Sequence, residues 1–140
     1  MDDDMCCLLM AHLRQNSRVT SLDLSENRIG FKESSGGIAQ GALEPQLSSE
    51  LGVPEPQPTI GEAIATMLEE NSTLTNLELS WNFIAAGAAA AIARALGDND
   101  ALKELNVSHN AFHDTDHALP AQEIGRSLRR NTGLIRLDLR

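Results

Sequence analysis

The chain has 140 residues, of which 41% are apolar, and a formal net charge of −9 at pH 7. This length is typical of a single domain. The negative charge disfavours nucleic acid or an acidic membrane surface as the main partner, because phosphate binding needs clustered Lys and Arg. No apolar stretch is long enough to span a bilayer, and the acidic start Met1–Asp4 lacks the basic region of a signal peptide.

The first predicted element is a helix. Leu9 and Leu13 are four residues apart, which places both side chains on one helix face, and Asn16 follows three residues later. Cys6 and Cys7 are adjacent in the same helix. A disulfide between neighbouring residues is strained, so we interpret them as reduced thiols of a cytoplasmic protein. The helical pattern recurs at Ile64/Leu68/Asn71, Ile92/Leu96/Asn99 and Ile124/Leu128/Asn131.

A short strand is predicted after each of these helices. The template L-x-x-L-x-L-x-x-N-x-I matches residues 18–30 (RVTSLDLSENRIG) and recurs in 73–85, 101–111 and 133–140. Alternate residues of a strand face opposite sides, so the template leucines should face one interior and the residues between them should point outwards. The residues predicted to face inwards are Leu22, Leu24, Leu77, Leu79, Leu105, Val107, Leu137 and Leu139.

An asparagine stands where three of these strands end, at Asn27, Asn82 and Asn110. An amide side chain can donate to and accept from the backbone of its own turn and of the neighbouring coil. We therefore interpret these asparagines as structural.

Residues 31–58 interrupt the repeat and contain four of the five prolines. Gly36–Gln46 aligns without gaps to Gly61–Asn71, and Leu51 with Val53 would form a weak strand, which favours a degenerate repeat. The prolines favour an inserted loop, because they remove donors that a strand ladder uses. Both interpretations stay open.

The recurring unit of helix, strand and turn is about 28 residues long. The template resembles the ribonuclease-inhibitor-like class of leucine-rich repeat proteins, in which it is followed by G-x-x-x-[IL]-x-x-x-L-x-x-N. The resemblance implies an α/β fold: a right-handed solenoid shaped as a horseshoe arc, with short parallel strands on the concave face and helices on the convex face. We expect one domain, residues 1–140. Since neither end has an obvious polar cap, we expect a piece of a longer array or a chain that associates end to end.

Function is less specific than fold. The class includes inhibitors, immune sensors, actin regulators, a Ran GTPase-activating protein and ciliary scaffold proteins. The sequence has no Gly-rich phosphate loop and no nucleophile elbow. We predict a non-catalytic protein-binding scaffold without a cofactor, located in the cytoplasm and open to cytoskeletal or ciliary association. The alternative is a regulator of an enzyme, such as a Ran-type GTPase activator.

The predicted binding surface consists of outward strand and turn residues on the concave face. Trp81 is the sole tryptophan, and exposed aromatic side chains are common anchors of protein interfaces. The alternative is that its ring covers the alanine-rich coil. With Glu26, Glu78 and His109 it should form the centre of a patch for a basic or mixed-charge protein segment. The flanking contact residues predicted are Asp23, Asn76, Asn106, Glu104, Arg136 and Asp138.

The histidines also raise the possibility of a metal site. His109, His113 and His117 lie close together in sequence, with Asp114 and Asp116 between them, and imidazole with carboxylate is a plausible zinc ligand set. The segment lies between a strand and a proline, however, so it should be a turn that does not align these side chains. We predict a solvated connecting loop and no metal.

Overall fold

The computed structural model describes residues 1–31, 58–110 and 119–140, in which helices alternate with three-residue strands. Within these ranges no helix combines the length and the apolar character needed to cross a membrane. The four strands form one parallel sheet in the order β1-β2-β3-β4, which confirms the predicted α/β architecture. The elements are α1 (Asp3–Leu13), β1 (Ser21–Asp23), α2 (Ile60–Glu70), β2 (Asn76–Glu78), α3 (Ala86–Leu96), β3 (Glu104–Asn106), α4 (Leu119–Leu128) and β4 (Arg136–Asp138).

The sheet register stacks equivalent template residues on one another. Leu22 pairs with Leu77, Leu77 with Leu105, and Leu105 with Leu137. Each helix packs against the helix of the next coil, in the order α1, α2, α3, α4. The core lies between the sheet and the helices, and Leu79 is fully buried in it. The predicted alternation of inward and outward residues is therefore correct in the middle of the sheet.

The last coil is less covered than the middle coils. Leu139 after β4 lines an apolar pocket with Leu105 and Val107, so it faces inwards as predicted, yet it is 44% exposed. Leu128 of α4 is 45% exposed. This coil has a described neighbour on one side only, so fewer contacts cover its template leucines. The template position directs a side chain towards the interior, and contacts with the adjacent coils bury it.

The asparagines at the strand ends join neighbouring coils. The side-chain amide of Asn82 donates to the carbonyls of Leu24 in the preceding coil and Leu79 in its own, at 2.9 and 3.0 Å. Its carbonyl oxygen accepts from the backbone N–H of Ile29 at 3.2 Å. Asn110 repeats the arrangement one coil later. These contacts confirm the structural interpretation and satisfy backbone groups that the turning chain would leave unpaired.

A second set of asparagines does the same work at the helix ends, which the sequence analysis did not foresee. Asn99 donates to the carbonyls of Leu68 and Asn71 in the preceding coil, at 2.6 and 3.2 Å, and accepts from the backbone N–H of Leu102 at 2.8 Å. Asn131 bonds in the same way one coil later. The recurrence of asparagine after each helical pattern was the available signal. It caps helix carbonyls that have no partner within their own helix.

Small residues set the distance between α2 and α3. A Cβ atom built on Gly61 would lie 2.5 Å from the Cα atom of Ala88, closer than any side-chain contact permits. Gly87, which is the second residue of α3 as Gly61 is of α2, has open space around it. The close approach of these two helices therefore depends on one glycine.

Cys6 packs in the interior of the first coil. Its thiol is buried, and burial raises its pKa to about 12 because the low-dielectric interior disfavours the charged thiolate. It is a protonated, unreactive thiol at neutral pH.

The two interpretations of residues 31–58 concern a segment that, apart from its ends, lies outside the described residues. On either side of it, β1 pairs directly with β2 and α1 packs directly against α2.

Candidate interaction surface

The outward strand residues form a polar row across the sheet. The register places Asp23, Glu78, Asn106 and Asp138 side by side. Together with the first residues of the strands, these side chains line a depression of about 290 Å³. The structure thus brings the predicted strand residues onto one surface. The members of this depression that the sequence analysis named are Asp23, Asn76, Glu78, Glu104, Asn106, Arg136 and Asp138.

Each side chain of the row also has a structural task that the sequence analysis missed. Asp23 accepts a hydrogen bond from the backbone N–H of Ser25 at 2.9 Å, and Glu78 accepts one from Ser80 at 3.0 Å. Glu78 further accepts from the side-chain amide of Asn106 at 2.8 Å. These bonds to the residue two positions ahead turn the chain at the strand end. The signal was a polar residue placed two positions before serine.

Hydrogen bonds lower the pKa values of two carboxylates of the row, Asp23 and Asp138. The backbone and hydroxyl donors of Ser25 hold the pKa of Asp23 below its ordinary value. The guanidinium of Arg140, whose Nη2 lies 2.6 Å from Oδ2 of Asp138, is the main cause that lowers the pKa of Asp138 to about 2. The surface is therefore acidic at β1 and β2, whereas at β4 the charges of Arg136 and Arg140 outweigh that of Asp138.

A second row runs along the turns that follow the strands. Glu26, Trp81 and His109 occupy equivalent positions in successive coils, with φ angles of 54°, 55° and 54°. The backbone N–H of Glu26 donates to the carbonyl of Ser80 at 3.0 Å, and that of Trp81 donates to Ser108 at 3.1 Å. Left-handed backbone is unfavourable for residues other than glycine. Its recurrence here shows that the three turns share one backbone geometry, so their Cα–Cβ bonds leave the backbone in equivalent directions.

The Trp81 ring lies on the ring of His109. The centroids are 4.1 Å apart and the planes differ by 18°, which is a stacked arrangement. The indole is nevertheless 58% exposed, so this contact fixes the ring without burying it. An opening of about 430 Å³ beside it is lined by Trp81, Glu26 and Asn27.

Two further aromatic side chains are exposed near the end of the second strand. Phe83, two residues after Trp81, meets Phe31 edge to face with the ring centroids 5.3 Å apart, and both remain exposed. Sequence reasoning missed this pair. Phe83 is a large apolar residue at an outward template position, which was the available signal, whereas Phe31 lies beyond the template.

Among the described residues, no group of three His, Cys, Asp or Glu side chains is placed to hold a metal ion. His113, Asp114, Asp116 and His117 lie outside the described residues. Of the possible zinc set, the structure therefore places only His109, which stacks on Trp81.

The repeat pattern and the fold both match known proteins. A family model described as Leucine Rich repeat matches residues 15–30, 70–93 and 98–116. A solved structure described as Leiomodin-1 Actin-Binding Site 2 superposes with a TM-score of 0.69, covering 100% of this chain and 64% of that chain. The matched segments of the chain are leucine-rich repeats. The structural match has 23% sequence identity and supports the fold alone.

The chain is also similar in sequence to the leiomodins. It is 41% identical to human leiomodin-2 over 78 residues, 54% of this chain and 13% of that protein. It is 38% identical to mouse leiomodin-3 over 79 residues, 56% of this chain and 14% of that protein. The matched part thus spans a small fraction of these relatives. The relatives named here include no GTPase activator, so the Ran-type alternative gains no support from them.

Proposed function

We propose that the chain is a non-catalytic, cytoplasmic protein-interaction module that binds its partner on the outer face of the sheet, concave in our prediction, and that this partner is actin. The observation that carries the proposal is Trp81, an indole that is 58% exposed yet held in place by a stacked neighbour. Exposed aromatic side chains of this kind dominate the binding energy of many interfaces. No nucleic acid or membrane partner is expected of so acidic a chain.

The geometry around Trp81 favours a rigid anchor. The left-handed turn fixes its backbone and the His109 ring restricts its side chain. Little side-chain entropy is then lost when a partner covers the ring, and this saving strengthens association.

The carboxylates supply the electrostatic part of the proposal. Glu26 lies in the turn after β1 and lines the opening beside Trp81. Glu78 lies in β2, next to Asp23 of β1. Negative side chains beside an aromatic anchor attract a basic or mixed-charge segment and raise its association rate. We expect the flanking predicted contact residues to complete the rim of the interface.

Actin is chosen from the similar proteins. The structure that this chain resembles is described as an actin-binding site of leiomodin-1, and curated leiomodins match the chain at 38–41% identity. Both similarities support actin as the first partner to test.

The test is actin binding by the full chain and by matched variants. Trp81→Ala should weaken binding by about 2 kcal/mol, close to 30-fold, because a central aromatic anchor is lost. Leu8→Ala is the control, since Leu8 is an equally exposed apolar residue on α1. Co-sedimentation with filaments and fluorescence titration of monomers measure both forms of actin. If Trp81→Ala binds as tightly as Leu8→Ala, the sheet face is not the interface.

Charge variants separate steering from anchoring. Glu78→Gln should lower the association rate and weaken its dependence on salt, while the dissociation rate changes little. Stopped-flow measurements at two salt concentrations resolve these rates. No actin binding by the unmodified chain would exclude actin and leave the exposed surface without an assigned partner.

A further inference from the structure

We propose that Trp81 and Glu26 form a half-cage that receives a single arginine side chain of the partner. This inference rests on the proposed protein-binding function and deepens it, because it names the chemical group that the surface recognises. It assigns a specific site within the broader patch, at the opening between the first and second coils.

The two sides of the Trp81 ring have different surroundings. His109 covers one face of the indole from the side of the third coil, at 4.1 Å and nearly parallel. The opening of about 430 Å³ lies beside the ring and is shared with Glu26 and Asn27 of the first coil. One aromatic face is thus covered by His109, and the opening, which Glu26 and Asn27 line and His109 does not, leaves room for a ligand beside the ring.

The carboxylate of Glu26 differs from its acidic neighbours in its hydrogen bonds. Within the described part of the chain, no ion pair or side-chain hydrogen bond engages its carboxylate. Asp23, Glu78 and Asp138 differ, because each of them accepts a hydrogen bond from a backbone amide two residues on. Glu26 is therefore the acidic side chain beside Trp81 that has no structural task and is available to a ligand.

An aromatic ring next to a carboxylate suits a guanidinium group. A guanidinium is planar, weakly hydrated and always charged, so it stacks on indole while donating two parallel hydrogen bonds to a carboxylate. An ammonium is compact and more strongly hydrated and matches only the charge. The geometry favours arginine over lysine.

The backbone of the two turns places Glu26 and Trp81 next to each other. Glu26 and Trp81 share the left-handed turn conformation, and the N–H of Glu26 donates to the carbonyl of Ser80, the residue before Trp81. The backbone thus fixes the directions of the two Cα–Cβ bonds and their spacing before any ligand arrives. Pre-organised groups bind at lower entropic cost.

The experiment uses the intrinsic fluorescence of the full chain, because Trp81 is its sole tryptophan and the chain has no tyrosine. The probes are acetyl-Gly-Arg-Gly-amide and the neutral, nearly isosteric acetyl-Gly-citrulline-Gly-amide. The arginine peptide should change Trp81 emission in a saturable, salt-sensitive way, with an affinity at least fivefold above that of the citrulline peptide. A lysine peptide should fall between them.

The variants decide whether Glu26 is part of the site. Glu26→Gln should weaken the arginine peptide about tenfold and leave the citrulline peptide unchanged. Glu69→Gln, an exposed glutamate of α2, should bind like the unmodified chain. Circular dichroism confirms that both variants keep their helices. Equal binding of the arginine and citrulline peptides, or an unchanged affinity in Glu26→Gln, would overturn the half-cage.

This outcome is independent of actin. Arginine-specific binding without actin binding would sustain the half-cage and point to another arginine-bearing partner. Actin binding that needs Trp81, combined with no preference for arginine, would sustain the proposed function and overturn this inference.

Discussion

The middle coils and the last coil carry the same template and differ in what it achieves. In β2 and β3 and directly after them, the template residues Leu77, Leu79, Leu105 and Val107 are buried. In the last coil Leu139 is 44% exposed, and the ion pair of Arg140 with Asp138 lies at the surface. The difference teaches that a coil of this repeat does not bury its own residues. Burial comes from the coil on each side, so stability is a property of neighbouring pairs.

The largest expected effect contrasts equivalent leucines in the two regions. Leu79→Ala should lower the free energy of unfolding by about 2–5 kcal/mol, because it leaves a cavity in packed surroundings. Leu139→Ala should cost less than about 1 kcal/mol, because the side chain is half exposed. Urea denaturation followed by circular dichroism measures both, and equal costs would contradict the neighbour-dependent view.

Two glycines sharpen the contrast within the middle coils. Gly61→Ala should destabilise by about 1–3 kcal/mol, since its Cβ would collide with the backbone of Ala88. Gly87→Ala, also at the second residue of its helix, meets nothing and should stabilise by up to about 1 kcal/mol through helix propensity. Thermal melting of the two variants shows the sign directly. A stabilising Gly61→Ala would mean that α2 and α3 do not approach so closely.

Deleting residues 31–58 tests whether the first two coils are complete without that segment. The deletion joins Gly30 to Thr59 and leaves Asn27 and Asn71 one residue closer in sequence than Asn82 and Asn99. Because β1 already pairs with β2 and α1 with α2, we expect a loss below about 1 kcal/mol, roughly 4–8 °C in Tm. A much larger drop in a calorimetric scan would favour the degenerate repeat.

The smallest effect concerns the surface charges of the last coil. Arg140 lowers the pKa of Asp138 to about 2 from its ordinary 3.8. A depressed pKa contributes stability above the ordinary value, and this contribution is lost as pH falls from about 4 to about 2. Arg140→Gln should bring the pKa of Asp138 back towards 3.8 and remove part of that pH dependence. Carboxyl chemical shifts across the titration measure the change, and an unaltered pKa would show that Arg140 does not contact Asp138 in solution.

Much of the fold was predictable from the sequence, because its determinants are local and repeated. The spacing of leucines gave the strands and their inward faces, and the apolar pairs gave α1 to α4. Asn82 was correctly interpreted as structural. Asn99 caps α2, the helix of the preceding coil. The sequence analysis used it only as a marker of the repeat period, because its partners Leu68 and Asn71 belong to that coil.

The candidate surface was predictable as a set of rows but not as a set of contacts. The register that aligns Asp23 with Glu78 follows from the repeat period. The stacking of Trp81 on His109, 28 residues away in the chain, depends on the exact superposition of two coils and on their left-handed turns. The bonds that occupy Glu78 and leave Glu26 available also emerge only when side chains are placed.

The sequence by itself determined that this protein is a stack of helix and strand coils with leucine and asparagine ladders, because a period of about 28 residues is written into each unit. The tertiary structure alone decided which of those residues are buried, which aromatic rings meet, and which carboxylate beside Trp81 remains available. The physical reason is that burial, stacking and hydrogen bonding between coils are properties of neighbours in space, which no single repeat contains.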